Sequence, residues 1–373
     1  MFKTITTGAL AALMILLLAP GVQAQAGKGK APTESVAELE QKVQQAYQDK
    51  NWIRMYSYSM NLHKQRPFVP EYMLYIVLAS ASLNKPQTAY HYMLKMQQQG
   101  LNYDFNQYPE TESIRGTEAF DYITDLSVKA GLPSGEGAKF LDLDVVTADL
   151  GDVAWDESRG RFLVGTRTDG NLLSVSDNGK SEVLLRANDE NGLWSIDGIE
   201  TNVKSNRLWI ASTATPAFRN FTPADANRGA LFEFDLQPLE LLNRYNLPVD
   251  ALPHELGGIA VTDAGDVYVI DRATPIIYRK TVDGNRLEAF AGSAQLVALT
   301  DIAVTPDNSR IFVADAVMGI LLNDPIAQRS MMLAGPETLN LSGIYGIEYI
   351  NTNLIVTQSG ISPQRIMRLQ LNP

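Results

Sequence analysis

Five copies of one pattern occupy the C-terminal two-thirds of the chain. Each copy has a short apolar segment, a polar turn and a longer apolar segment. The positions that align between the copies are Val153, Ile199, Ile259, Ile302 and Ile347, in steps of 46, 60, 43 and 45 residues. Paired strands that recur every 40–50 residues or so are typical of a β-propeller, in which each copy forms one blade. The pattern therefore predicts a five-bladed propeller.

Two further segments bear on the number of blades and on ring closure. Residues 140–146 alternate apolar and polar positions as a half-buried strand does, and the last copy ends without an outer strand. We expect this N-terminal strand to complete the last blade and close the ring, which would remove exposed sheet edges. The 60-residue step holds an insertion at 213–228, rich in Pro and Asn, which predicts a loop over one face. A sixth, degenerate blade within this insertion is the alternative.

Residues 33–131 have the apolar period of helices and form a separate unit before the propeller. The pattern predicts helices over 35–48, 51–64, 70–83 and 86–99, and a final helix that Gly131 ends. Equivalent positions such as Tyr47 and Ala81 lie 34 residues apart, a spacing that resembles tetratricopeptide repeats. Two helical hairpins are few for a free-standing solenoid, so we expect the unit to pack on the propeller. The class is α+β multidomain, with a linker at 132–137 and the propeller at 138–373.

The first 24 residues are typical of an export signal. Lys3 precedes an apolar run from Ala9 to Ala19, and small residues surround a cleavage point after Ala24. The run is shorter than the roughly 20 residues that a membrane-spanning helix needs. We expect a periplasmic or secreted protein with a linker at residues 25–32 and no membrane span after cleavage. An uncleaved anchor is the alternative.

Composition excludes several kinds of site. The chain has no Cys, three His and a net charge of −11. Disulfides, thiolate metal sites and cysteine nucleophiles are therefore excluded, and a His-rich zinc centre is disfavoured. An acidic chain without a basic cluster argues against nucleic acid as a partner. No phosphate-binding loop or dinucleotide fingerprint is present, so we expect no nucleotide cofactor.

Carboxylates recur where the first strands of the blades begin. The innermost strands of a propeller line its channel, so residues just before them converge at one mouth. Asp152, Asp197 and Asp301 occupy such positions, and Asp315 follows a second strand. Clustered oxygen ligands suit Ca²⁺ or Mg²⁺. The alternative is that each Asp bonds to the backbone of its own turn.

The copies at 257–271 and 300–315 resemble blades of the gluconolactonase-like propellers, the family of regucalcin and luciferin-regenerating enzyme. The resemblance implies a divalent cation, held by carboxylate and Asn side chains before the innermost strands, that polarises a lactone carbonyl and activates water. Asp197-Gly198-Ile199 matches the family pattern of Asn or Asp, Gly and an apolar residue. The corresponding positions of the other copies hold Gly151, Gly257, Thr300 and Tyr345, so the implied ligand set is degenerate.

Two functions follow as expectations. The first is an exported binding or scaffolding protein that contacts a small molecule or a protein partner at the propeller mouth. The alternative is a hydrolase of a lactone or ester that depends on one divalent cation (Ca²⁺, Mg²⁺, Mn²⁺ or Zn²⁺). Its metal ligands would be Asp197, Asp301 and Asp315. Its acid and base groups would come from Asp152, His254 and Glu255, although the last two can equally form a turn between blades.

Overall fold

The computed structural model describes residues 34–143, 149–248, 250–292 and 296–371. The predicted signal at residues 1–24 and the linker that follows lie outside the described residues. The helical region has five α-helices: α1 (Val36–Gln48), α2 (Trp52–Gln65), α3 (Pro70–Ser82), α4 (Pro86–Gln98) and α5 (Glu118–Ala130). The bounds of the first four agree with the predicted ones to within one residue. No helix in the described part of the chain is long and apolar enough to cross a membrane.

Local sequence explains where these helices begin. The Asn51 side chain accepts a hydrogen bond from the Arg54 N–H, and Thr117 accepts one from Phe120, so both cap a free helix end. α3 and α4 each begin with Pro, whose fixed φ suits the first helical position. Consecutive helices pack on each other around buried apolar side chains such as Leu62 and Phe120. Their tetratricopeptide-like character stays a prediction.

The rest of the chain forms five antiparallel sheets in chain order. Blade 1 has β1 (Leu150–Asp156), β2 (Arg161–Thr166), β3 (Leu172–Val175) and β4 (Ser181–Leu185). Blade 2 has β5 (Ser195–Asn202), β6 (Arg207–Thr213), β7 (Gly229–Asp235) and β8 (Leu241–Asn246). Blade 3 has β9 (Leu256–Val261), β10 (Val267–Asp271), β11 (Ile276–Lys280) and β12 (Glu288–Gly292). Blade 4 has β13 (Leu299–Val304), β14 (Ile311–Asp315), β15 (Gly319–Asp324) and β16 (Arg329–Met332). Blade 5 has β17 (Ile344–Ile350), β18 (Asn353–Gln358) and β19 (Arg365–Gln370).

Hydrophobic clusters join each blade to the next. Apolar side chains from both faces of a sheet are buried because each inner blade packs on a neighbour on either side. Each junction can be represented by one pair of buried residues. These are Leu163 with Ile199 between blades 1 and 2, Trp209 with Ile259 between blades 2 and 3, Tyr268 with Ile302 between blades 3 and 4, and Phe312 with Ile347 between blades 4 and 5. The first strands β1, β5, β9, β13 and β17 are neighbours in that order and surround the axis. The predicted five-bladed propeller is confirmed.

Closure by an N-terminal strand stays a prediction. Residues 144–148 lie outside the described residues, and residues 140–143 form no strand. The Phe140 ring instead packs edge-on against Phe162 of blade 1, with the ring centres 6.0 Å apart. Among the described residues, no hydrophobic cluster joins blade 5 to blade 1. Trp155 and Tyr345, on those two blades, are 45% and 55% exposed.

The insertion at 213–228 is a loop, as predicted. It connects β6 to β7 within blade 2 and contains one short 3₁₀-helix, Pro223–Asp225. The loop adds no strand, so the alternative of a sixth blade hidden there is wrong.

Polar contacts join the helical unit to blade 5. The Arg365 guanidinium donates to the backbone oxygen of Gln99 at 3.0 Å, and the Asn340 amide donates to that of Phe68 at 2.8 Å. The backbone N–H of Asn102 donates to the oxygen of Ser362. The helical unit therefore packs on the propeller, as its small number of hairpins led us to expect.

Candidate functional site

Every first strand carries a bulge at the same aligned point. Between each first strand and its second strand the register gains one extra residue on the first strand. The extra residue lies two positions before the aligned apolar residue, for example at Asp197 before Ile199. A bulge re-aims the side chains beside it. Residues at neighbouring positions can therefore face the same channel mouth, which strict alternation would prevent.

Asp152 and Asp301 occupy equivalent positions, each directly before the aligned apolar residue, and make equivalent contacts. The Asp152 carboxylate accepts hydrogen bonds of 2.8 Å from its neighbour Val153 and from Ile199 of blade 2. The Asp301 carboxylate accepts one of 2.9 Å from Ile302 and one of 2.8 Å from Ile347 of blade 5. Each carboxylate thus joins its own blade to the next through backbone N–H groups.

Two glutamates lie beside these aspartates. Glu200 directly follows Ile199, and Glu348 directly follows Ile347, so each follows the residue whose N–H binds an aspartate. The charge of Glu200 interacts with those of Glu348, Asp152 and Asp301. We call the space that these four carboxyl groups share the axial channel.

Burial changes the proton affinity of these acids. Loss of hydration raises the pKa of Asp152 to about 6 and that of Asp301 to about 7, although two backbone N–H donors on each favour the charged form. Burial and then the neighbouring charge of Glu348 raise the pKa of Glu200 well above its usual value. The pKa of Glu348 is raised by burial as well. With its pKa of about 7, the Asp301 carboxyl is protonated in about half of the molecules at neutral pH, and a nearby cation would favour its charged form.

Asp197 lies at the channel mouth between two arginines. Arg167, which follows β2, donates to the buried Asp197 carboxylate at 2.5 Å, and Arg272, which follows β10, lies 3.8 Å from the same oxygen. The Arg272 guanidinium also donates to the backbone oxygen of Thr300 at 3.1 Å. The Asp149 carboxylate is 3.8 Å from Arg167. The mouth is therefore a mixed patch of charges contributed by several blades.

Asp315 has a backbone-binding position. Its side chain is fully buried and accepts four hydrogen bonds, two from the segment that enters blade 4 and two from the turn after β14. Asp271, the last residue of the second strand of blade 3, is equivalent to Asp315 and accepts hydrogen bonds from three backbone N–H groups. These contacts match the alternative given above, in which an Asp bonds to its own turn.

His254 is held between two carboxylates. Its Nδ1 lies 2.6 Å from Asp271 and its Nε2 3.1 Å from Asp250. The hydrogen bond to Asp271, with the charges of Asp271 and Asp250, raises the pKa of His254, although burial opposes the charged form. The neighbouring Glu255 is half-buried, and its charge acts on Arg167. His254 thus lies in the loop that enters blade 3, while Glu255 belongs to the mouth.

The donor set does not resemble that of a metal centre. Among the described residues, no group of three or more His, Asp or Glu side chains is arranged to hold a metal ion. Asp197 is paired with Arg167, and the oxygens of Asp301 and Asp315 accept backbone N–H groups. Ca²⁺ takes six to eight oxygen ligands and Mg²⁺ takes six, some of them from water, and both need carboxylate oxygens that are free to coordinate. These residues therefore do not fit the cation that the family resemblance implies.

Sequence reasoning missed four residues of this site: Glu200, Glu348, Arg167 and Arg272. A signal for the glutamates was present, because both occur in the tripeptide Gly-Ile-Glu at the same point of their copies. A charged residue inside an otherwise apolar first strand indicates that the strand faces water or another polar group.

No family model matches this sequence, and no curated protein matches it. Similar solved structures include a nidogen–laminin complex, at 16% identity over 60% of this chain and 80% of the other, with a TM-score of 0.43. A gluconolactonase from Xanthomonas campestris is 15% identical over 61% of this chain and 73% of its own, with a TM-score of 0.47. A streptogramin B lyase is 12% identical over 62% and 72%, with a TM-score of 0.43. We transfer no residue role from any of them.

Proposed function

We propose that this chain is a binding or scaffolding protein that takes a small molecule or a protein partner at the propeller mouth. The observation that supports this most is that the carboxylates nominated as metal ligands already have protein donors. Asp197 is bonded to Arg167, Asp301 to two N–H groups and Asp315 to four. A metal ion would have to displace these donors before it could act on a substrate.

The axial channel favours a small organic cation or a hydroxyl-rich molecule. Its four carboxyl groups have raised pKa values. A cation would stabilise the ionised form of carboxyl groups that otherwise repel one another. A polyol would instead donate to ionised carboxylates and accept from protonated ones.

Calorimetric titration with spermidine, and in a second arm with sorbitol, tests the proposal. We expect spermidine to bind more tightly as the pH rises from about 5.5 to 8, because the carboxyls then lose their protons. The double variant Glu200→Gln with Glu348→Gln should weaken that binding about tenfold or more, which corresponds to about 1.4 kcal/mol. Glu157→Gln, in an exposed turn of blade 1, is the matched control. Absence of heat with both ligands, or equal binding by the double variant, contradicts the proposal for the channel.

The hydrolase remains the alternative, with Asp152 as the group of most interest. Its carboxyl has a pKa of about 6, and a general acid or base works best when its pKa is near the working pH. This alternative expects EDTA to lower the melting temperature and added Ca²⁺, Mn²⁺ or Zn²⁺ to restore it. We expect no response to either treatment.

We also propose that the protein is exported, on the basis of the N-terminal sequence alone. N-terminal sequencing of the mature protein should begin at Gln25 if the signal is cleaved after Ala24. A mature protein that still begins at Met1 would contradict cleavage.

A further inference from the structure

A second polar pocket lies beside blade 2, separate from the axial channel. It has a volume of about 270 Å³ and is formed by the segment that enters blade 2 together with the insertion loop. Leu193 and Phe218 form a buried apolar floor, with 3% and 6% exposure. Trp194, two arginines (Arg228 and Arg244) and two aspartates (Asp189 and Asp225) also line it.

The entry segment of this pocket is fixed by two asparagines that bond reciprocally. The Asn188 side-chain oxygen accepts from the N–H groups of Glu190 and Asn191, at 3.0 and 2.9 Å. The Asn191 side-chain oxygen accepts in turn from those of Asn188 and Leu193, at 3.2 and 3.1 Å. Asn side chains that bond to nearby backbone in this way hold a tight turn. One wall of the pocket is therefore preorganised.

Arg244 is held by aromatic rings rather than by a carboxylate. Its guanidinium carbon lies 4.7 Å from the ring centre of Trp194 and 5.1 Å from that of Phe232. Its Nε donates to the Asn246 side chain at 2.9 Å. In the described part of the chain no Asp or Glu lies within ion-pair distance of Arg244. A guanidinium beside aromatic rings and without a carboxylate partner can bind a carboxylate through its terminal N–H groups.

A glycine makes room for this guanidinium. Gly192 has a φ of +68°, and a Cβ at that position would lie 2.5 Å from Arg244 Nη1. An L side chain there would therefore be strained and would also push Arg244 away. The entry segment accommodates the arginine only because residue 192 is glycine.

A second cation faces the same pocket. Arg228 lies 3.6 Å from Asp225, whose other oxygen accepts from the Thr222 hydroxyl at 2.6 Å. Burial and then the charge of Arg228 lower the pKa of Arg244. Asp225 offsets the charge of Arg228, so Arg244 is the cation of this pocket that has no carboxylate partner among the described residues.

We propose that this pocket binds a small carboxylate with a flat apolar body. The carboxylate would accept hydrogen bonds from Arg244 and the charge of Arg228 would stabilise it. The flat body would lie on the floor of Leu193 and Phe218 beside Trp194. The volume of this pocket, about 270 Å³, is just below the range of about 300–1,000 Å³ that is typical of small-ligand sites. A small ligand therefore fits.

Calorimetric titration of the full chain with benzoate tests this proposal. Benzamide has the same shape without the charge, and inorganic phosphate has the charge without the flat body. We expect benzoate to bind more tightly than either by about tenfold or more, because the pocket supplies both charged donors and an apolar floor. Benzoate should also change the fluorescence of Trp194.

Four variants make the test specific. Arg244→Gln and Arg244→Lys should each weaken benzoate binding about tenfold or more, since neither keeps the stacked, bidentate donor. Arg219→Gln is the matched control, because Arg219 is on the same loop, is 68% exposed and pairs with Asp169 outside the pocket. Glu200→Gln should leave benzoate binding unchanged, which separates this site from the axial channel.

Four results would overturn the proposal. These are no heat with benzoate, equal binding of benzoate and benzamide, phosphate binding as tight as that of benzoate, and unchanged benzoate binding by a folded Arg244→Gln variant. A melting temperature of Arg244→Gln close to that of the native chain would show that the variant is folded.

Discussion

Gly198→Ala tests the close approach of the first strands of blades 2 and 3. Gly198 follows the bulge of β5 and faces Gly257 of β9. A Cβ at residue 198 would lie 2.9 Å from the carbonyl carbon of Gly257, closer still to its oxygen, and 3.1 Å from the Cβ of Ala211. The carbonyl belongs to a bulged strand that is packed between two blades, so it cannot rotate away as the end of a side chain would.

Overpacking of this kind costs about 1–3 kcal/mol. We place Gly198→Ala in the upper half of that range because the obstacle is backbone. For a domain of 150–250 residues each kcal/mol lowers the melting temperature by about 2–4 °C, so we expect a decrease of about 4–12 °C. Thermal unfolding followed by circular dichroism measures the change.

Gly137→Ala is the matched control. A Cβ there would contact nothing within 4 Å, so the free energy of unfolding should stay within about 1 kcal/mol of the native value. If the melting temperature of Gly198→Ala equals that of the native chain, the first strands of blades 2 and 3 do not approach each other as described. The shared channel would then lose its structural basis.

Two further predictions concern pH. Burial raises the pKa of the Glu200 carboxyl above its unfolded value, so its contribution to stability is lost as pH rises from about 4.5 through the folded pKa. The stability of Glu200→Gln relative to the native chain should therefore increase as the pH rises from about 5 to 8. If the difference between their free energies of unfolding stays the same over this range, the prediction is contradicted. The pKa of His254 is also raised, so the stability that its charged form contributes is present in full below about pH 6.5. This stability is lost as the pH rises through the pKa of His254 in the folded state. Urea unfolding should show that His254→Gln lowers the free energy of unfolding by about 3 kcal/mol in acid and by less in alkali. A loss of stability that grows with pH would refute the raised pKa of His254.

The blades could be predicted from the sequence because their signal is local and repeated. A short apolar segment, a polar turn and a longer apolar segment recur in every copy, with an aligned apolar residue such as Ile259 or Ile302. The helices were predictable for the same reason, and Pro70 and Pro86 fixed two of their starts.

The site was predictable only in part. The blade pattern placed Asp152, Asp197 and Asp301 at the first strands of their blades, where the structure has them. Their contacts did not, because a bulge shifts the direction of each side chain by one residue and has no reliable sequence signal. The pairing of Asp197 with Arg167 joins residues 30 positions apart on two blades, which no local pattern reveals.

The account of the axial channel depends on four neighbouring carboxyl groups, of which those of Asp152, Glu200 and Asp301 are partly buried and that of Glu348 is exposed. Carbon-13 NMR titration of the labelled side-chain carboxyls measures this most directly. The account predicts a pKa of about 6 for Asp152 and about 7 for Asp301, with the latter lower in Asp152→Asn because the Asp152 charge is then removed. Values near the ordinary 3.9 for both aspartates would contradict it.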